Sequence, residues 1–109
     1  MYIKDVRPTV FGRVDCIKRL FPERGAGMNR LYYVNSGEMV FKSEQGERLM
    51  KEGYLYLIPH SSINTITTEY VDHTFFNFYT YPQISNENLI EINLSEHQIL
   101  KSAFDALNL

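Results

Sequence analysis

Three glycines, Gly37, Gly46 and Gly53, recur at short intervals through the middle of the chain, each beside small polar residues. Asn35 and Ser36 precede the first, Ser43 to Gln45 the second, and Lys51 and Glu52 the third, which is turn chemistry. Between them lie runs too short for helices: residues 31–34, 39–42, 47–50 and 54–58. Their spacing is close to the interval of roughly 8 to 12 residues that marks antiparallel sandwiches and barrels. Such a chain builds its core from strands joined by turns. Residues 64–68 are β-branched, and 74–80 alternate aromatic with polar side chains, so both read as further strands. Residues 9–17 read as an opening strand bent at Gly12, followed by a loop over 22–27.

Helix is expected at the end of the sequence alone. Ser95 and Gln98 have the spacing of a capping box, and Leu94 and Ile99 stand at the positions of a hydrophobic staple. Leu100, Ala103, Phe104 and Leu107 then recur on one helical face. This apolar stripe at a terminus suggests a helix that packs against something further, so the 109 residues read as part of a longer protein. The expected division is a barrel over 1–94 and the start of a helical element over 95–109.

With 44% hydrophobic and 22% charged residues over 109 positions, the chain suits one globular domain. No apolar run approaches the roughly 18 residues of a membrane helix. Cys16 is the lone cysteine and no leader opens the chain, which together suit a reducing cytoplasm. A net charge of −2 lacks the basic stripe that binds nucleic acid. There are eight Tyr and seven Phe, and six of these fifteen lie between Tyr70 and Tyr81, a concentration that asks for a core or a pocket.

The stretch from Arg30 to Asn64 reads RLYYVNSGEMVFKSEQGERLMKEGYLYLIPHSSIN. It resembles the paired motifs of the cupin superfamily, whose second motif is GxxxxxPxGxxH. Gly53 and Pro59 keep that spacing, while Ser61 stands for the glycine and Asn64 for the histidine. Counting back seven positions from Gly37 places Arg30 where metal cupins carry a glutamate ligand. A guanidinium cannot ligate a metal and Asn is a weak neutral donor, so no metal and no cofactor is expected. The ordered series RGAGMNR, SGEMVF, GYLYLIP and TFFNFYTYP, followed by the helix after Ser95, is similar to the sensor domains of the arabinose-regulator (AraC) family of bacterial transcription factors. This resemblance covers about residues 21–82. It implies a mainly β, cupin-like double-stranded β-helix (jelly-roll) barrel with a C-terminal α-helix. The implied function is effector binding and dimerisation for a cytoplasmic regulator of transcription that senses a small polar metabolite such as a sugar. DNA would be contacted through a domain absent from these residues.

Within that frame Arg30 and Tyr32 share one face of a strand, the face on which cupins place their ligands. Arg30 could fork onto a carboxylate or vicinal hydroxyls, or pair with a neighbouring Glu. Arg24 matches a sugar-contacting arginine of the resembled family, or is a solvated loop residue. Alternation places Phe75, Asn77 and Tyr79 together, either against a ligand ring or as core filling. Asn64 donates to a ligand or caps a turn. The resemblance implies a weak homodimer contact through Leu100, Phe104 and Leu107. His60, His73 and His97 form no ligand pair and read as surface residues; no catalytic triad, carboxylate pair or phosphate loop is present. The competing function is a metal-free cupin isomerase or epimerase, which would need a general base that Arg30 and Asn77 do not supply, or a stand-alone carbohydrate-binding barrel.

Overall fold

A computed structural model describes residues 5–24, 28–81, 83, 88–99 and 101–102; over 5–11 and 15–24 the backbone alone is described. The architecture is mainly β. Six strands, β1 (Asp5–Arg24), β2 (Asn29–Ser43), β3 (Gly46–Lys51), β4 (Tyr54–Ile58), β5 (Ile63–Tyr81) and β6 (Ile90–Asn93), form one antiparallel sheet. Its order is β1-β5-β2-β4-β6, with β3 also paired to β2. One edge of β2 is thus covered along its length by β5, while the other is shared between β4 at residues 30–33 and β3 at residues 38–43.

Gly46 and Gly53 sit in hairpin turns with positive φ, as their polar neighbours foretell. Gly37 does not turn the chain. It lies inside β2 opposite Val71 at φ 81°, so the runs 31–34 and 39–42 are halves of one long strand. The expected bend at Gly12 is likewise absent: the β1–β5 register runs unbroken through it and shifts instead between Pro8 and Val10. The strand also continues through Pro22 to Arg24, where a loop was expected.

The long strands have to bend. A straight strand of 19 residues such as β5 would reach about 60 Å, yet the longest axis of the molecule is 34 Å. The bending is located by two register shifts. Between Val34 and Ser36, β2 advances two residues while β5 advances one, leaving Asn35 as the extra residue. Between Glu38 and Val40 the surplus lies on β5 instead. The first shift reverses inward parity on β2, so Val34 and then Met39 and Phe41 reach the same interior, and the second does the same on β5, so Val71 and Ile66 both face it. That core joins Val34, Tyr56 and Ile58 from one half of the ladder to Met39, Phe41, Met50 and Ile66 from the other, so the sheet curls over one interior.

The opposite face of β2 and β4 is covered as well. Tyr33 and Leu55 pack with Leu94, flanked by Leu31 and Ile92, which brings the chain after β6 back across the sheet. There a 3-10 turn, Leu94–Glu96, comes first, and its cap is Asn93, whose side chain accepts from the Ser95 N–H at 3.0 Å. Gln98 donates to the Ser95 carbonyl at 3.2 Å rather than reaching the cap N–H, so the expected capping box is replaced. An α-type turn follows, with the Lys101 N–H on the His97 carbonyl at 3.0 Å. Ile99 is 87% exposed, and the staple with Leu94 does not form. The stripe formed by Leu100, Phe104 and Leu107 lies outside the described residues.

Candidate functional site

The site residues read from the sequence fall largely into one row, and strand register places them. Arg30 is directly opposite Asn77 across β2 and β5, Tyr32 opposite Phe75, and Val34 opposite His73. On the other side of β2, Arg30 faces Ile58 and Tyr32 faces Tyr56. Directly paired residues in an antiparallel sheet point to the same side. Arg30, Tyr32, Asn77, Phe75 and His73 therefore share the side that carries Val34, Tyr56 and Ile58 into the core.

Within this row Arg30 is 4% exposed and His73 5% exposed. Burying a guanidinium is costly unless hydrogen bonds compensate it, which makes the position a demanding one for sequence to occupy. The Arg30 Nε and Nη1, Asn77 Oδ1 and His73 Nδ1 atoms are buried and make no hydrogen bond, although each of these side chains has other contacts. The Tyr32 ring meets His73 edge-on at 5.1 Å between centroids, and His73 lies 6.2 Å from Phe75. Burial holds the His73 imidazole below its usual range, an effect that the neighbouring Asp72 carboxylate partly opposes. His73 is thus an interior residue rather than the surface histidine expected. The signal was present, since it precedes Phe75 and Asn77 by two and four positions on the same alternating strand.

Other expected residues are placed differently. Tyr79 continues the row but is 45% exposed at its end. Asn64 is buried near the start of β5, where its Nδ2 donates to Ser62 Oγ at 2.9 Å and its Oδ1 has no hydrogen bond. The turn before it is fixed by the Ser62 N–H on the Pro59 carbonyl and by the His60 N–H on Asn29 Oδ1. The Arg24 backbone pairs with Ile63, one register position from Asn64, and its side chain lies outside the described residues. Phe76 and Phe78 stack at 5.6 Å on the opposite side of β5 from Asn77.

Around the row, polar networks brace the strands. Arg13 grips Asp72 with two hydrogen bonds of 2.9 Å, and the bulged Asn35 donates to Asp72 at 3.1 Å and Thr74 at 3.0 Å. These donors, Arg13 foremost, hold the Asp72 carboxyl below its ordinary range. On β4, the buried Tyr56 hydroxyl accepts from the Lys51 N–H at 2.7 Å and donates to Glu91 at 2.9 Å, while Arg48 donates to the Leu89 carbonyl at 2.7 Å. Burial, aided by the Glu91 carboxylate, raises the Tyr56 hydroxyl far above the ordinary tyrosine range. A hollow of about 400 Å³ opens beside this network, floored by Phe41 and Leu89 and rimmed by Ser43, Gln45 and Arg48; none of the residues expected to bind ligand lines it.

Among the described residues, no three of His, Cys, Asp and Glu gather as a metal-ligand set, and no helix is long and apolar enough to cross a membrane. Chemically, the row offers planar donors from Arg30, a donor and acceptor from Asn77, and aromatic faces beside them. No protein-family description, no curated protein and no solved structure matches the chain.

Proposed function

We propose that this chain is the effector-binding domain of a cytoplasmic AraC-type transcriptional regulator. In this reading the curled sheet is a cupin-like jelly-roll that binds a small polyhydroxylated metabolite, a sugar or close relative, on the row between β2 and β5. The supporting observation is the buried Arg30 guanidinium directly opposite Asn77, with Tyr32 and Phe75 at the next paired position. Donors beside aromatic faces are the chemistry by which a sugar's hydroxyls and its apolar C–H face are read together. Occupancy would act by population shift, favouring one arrangement of the helical element and of an appended DNA-binding domain. Homodimerisation through Leu100, Phe104 and Leu107 rests on the resemblance alone.

The test is thermal unfolding of the chain against a panel of aldopentoses, aldohexoses and their sugar acids. A ligand present at a hundred times its Kd stabilises the folded state by about 2.7 kcal/mol, equivalent to a rise in Tm of roughly 10 to 20 °C for a domain of this size. Arg30→Met should abolish the rise. Removing one partner of a buried charged contact can cost about 3 to 5 kcal/mol, so folding of Arg30→Met is checked by far-UV circular dichroism, and Arg30→Lys, which keeps the charge but loses the planar fork, serves as the second variant. A panel in which no member raises Tm, or an Arg30→Met variant that responds like the unsubstituted chain, refutes the reading.

A further inference from the structure

On the β2–β3 hairpin, Met39 is paired with Met50, Phe41 with Arg48 and Ser43 with Gly46. Directly opposed residues of an antiparallel pair share a side, so all six lie on the side that Met39, Phe41 and Met50 carry into the core. The apolar filling gives out at Arg48, and there the hollow of about 400 Å³ opens. Gly46 helps to keep it open, since nothing lies within 4 Å of an ideal Cβ built there. The volume falls at the small end of ligand sites, which run from roughly 300 to 1,000 Å³.

The rim is chemically one-sided. Ser43 Oγ gives its proton to Gln45 Oε1 at 2.9 Å and accepts from the Gln45 N–H at 3.3 Å. The amide oxygen of Gln45 is thereby engaged, while its Nε2 donates to no described residue. Arg48 donates from Nη1 to the Leu89 carbonyl at 2.7 Å and more loosely from Nη2 to Glu91 at 3.5 Å; its Nε donates to no described residue. The nearer partner of the guanidinium is therefore a neutral carbonyl, and the carboxylate stands at the limit of hydrogen-bond distance. No acidic side chain is among the described residues that line the hollow. Glu47, on the same hairpin, faces the other side and pairs there with Lys42 at 3.1 Å. What the site has to spare is donors and one positive charge, and an anionic acceptor is their complement.

The guanidinium is also held in place before any ligand arrives. The Leu89 carbonyl fixes one end, and Glu91 is itself anchored by the Tyr56 hydroxyl at 2.9 Å, whose oxygen accepts from the Lys51 N–H at 2.7 Å. Ordering a long side chain in advance lowers the entropic cost of binding. A planar fork beside the apolar Phe41 and Leu89 fits a carboxylate carried on a compact apolar body.

We propose that this hollow is a second small-molecule site, which binds a small organic monocarboxylate through Arg48 and Gln45. It shares no residue with the row between β2 and β5, and it does not rest on the sugar reading.

The experiment is an amide-resolved NMR titration of the full chain with pivalate, run beside its neutral isostere pivalamide and inorganic phosphate. Pivalate should shift the Ser43, Gly46 and Leu89 amides saturably, with a Kd at or below about 10 mM. Arg48→Gln should raise that Kd about ten-fold or more. Arg48→Lys, which keeps the charge and loses the fork, should raise it less, and so should Gln45→Ala. Should Arg48→Gln fail to fold, Arg48→Lys and Gln45→Ala decide, and unchanged binding in both overturns the proposal. Pivalamide shifts that match those of pivalate overturn it, because the charge is then not read. Equal binding of phosphate overturns it too, as the mark of an adventitious ion only. So do the absence of saturation, a folded Arg48→Gln that binds pivalate as before, and shifts that gather on Arg30 and Asn77 instead. The sugar panel is scored separately: a chain that ignores every sugar yet binds pivalate in this way loses the sensor reading and keeps this site.

Discussion

Gly37 and Gly53 form a matched pair for measuring the cost of one backbone contact. Their φ values are 81° and 83°, so alanine at either position meets the same left-handed penalty of about 1 kcal/mol or slightly more. Both substitutions also gain the same few tenths of a kcal/mol, up to about 1, from a stiffer unfolded chain. The surroundings differ sharply. A Cβ on Gly37 would lie 2.3 Å from the Tyr70 carbonyl oxygen, whereas on Gly53 nothing lies within 4 Å. The Tyr70 carbonyl belongs to β5 beside a register shift and cannot rotate away as a side-chain tip could. Relief requires the two strands to part, an overpacking cost of about 1 to 3 kcal/mol. Gly37→Ala should therefore be less stable than Gly53→Ala by that amount, a Tm gap of roughly 5 to 20 °C in a domain of this size. Urea unfolding followed by far-UV circular dichroism gives both values, with equal m-values as the check that the unfolded states match. If the two variants agree to within about 0.5 kcal/mol, close approach of β5 does not set the glycine at position 37 and the reasoning fails.

Other substitutions separate the networks. Tyr56→Phe removes hydrogen bonds to the Lys51 N–H and to Glu91, and should cost about 1 to 3 kcal/mol because it strands a buried donor. The Tyr56 hydroxyl stays protonated in the fold above its ordinary value of 10.0, so the unfolded chain ionises first and stability should fall as pH rises beyond 10.0; Tyr56→Phe should flatten that fall in alkaline unfolding curves. Asp72 has the opposite sign: its carboxyl is held below 3.8 by Arg13, so its contribution is present above that pH and lost below it, and Asp72→Asn should weaken the acid dependence of unfolding. Leu94→Ala should destabilise by about 2 to 5 kcal/mol, whereas Ile99→Asp should stay within about 0.5 kcal/mol, a contrast readable in one set of urea curves and lost if the staple formed.

The local chemistry of the chain reveals its strands but not their joins. Turn residues around Gly46 and Gly53 and the alternation of 74–80 lead directly to the observed hairpins and to the shared row of Phe75 and Asn77. At Gly37 the same signature, a glycine after Asn and Ser, lies inside β2 in register with Val71, between the two register shifts. Both uses need a positive φ, so residue type alone cannot distinguish them. Strand β6 is short and its Ile90-Glu91-Ile92 pattern too brief to stand out; its pairing to β4 is a tertiary fact. In the site, alternation pairs Arg30 with Tyr32 and Phe75 with Asn77, but the opposition of Arg30 to Asn77 depends on a register set by two bulges. His73 reads as exposed because it precedes the alternating run 74–80 and pairs with no other histidine; in the fold it lies inside β5, where Arg13 and Asn35 brace the neighbouring Asp72 carboxylate. The cap at Asn93 competes with Ser95 on equal chemical terms, and the packing of Leu94 against Tyr33 and Leu55 settles which begins the turn.

The ladder between β1 and β5 also has a consequence in time. Its outermost pair joins Asp5 to Tyr81, 76 residues apart in sequence (81 minus 5), and its innermost joins Arg24 to Ile63. Ribosomes add about 5 to 20 residues each second, so β1 waits several seconds after leaving the exit tunnel before its whole partner exists. Such distant pairings also close late for entropic reasons, which places this protein among slow folders. Throughout that interval a strand of 20 residues is free to pair with another nascent copy. Pro8 and Pro22 interrupt the row of N–H donors near its two ends, and this limits how far a mistaken ladder can zip before β5 arrives.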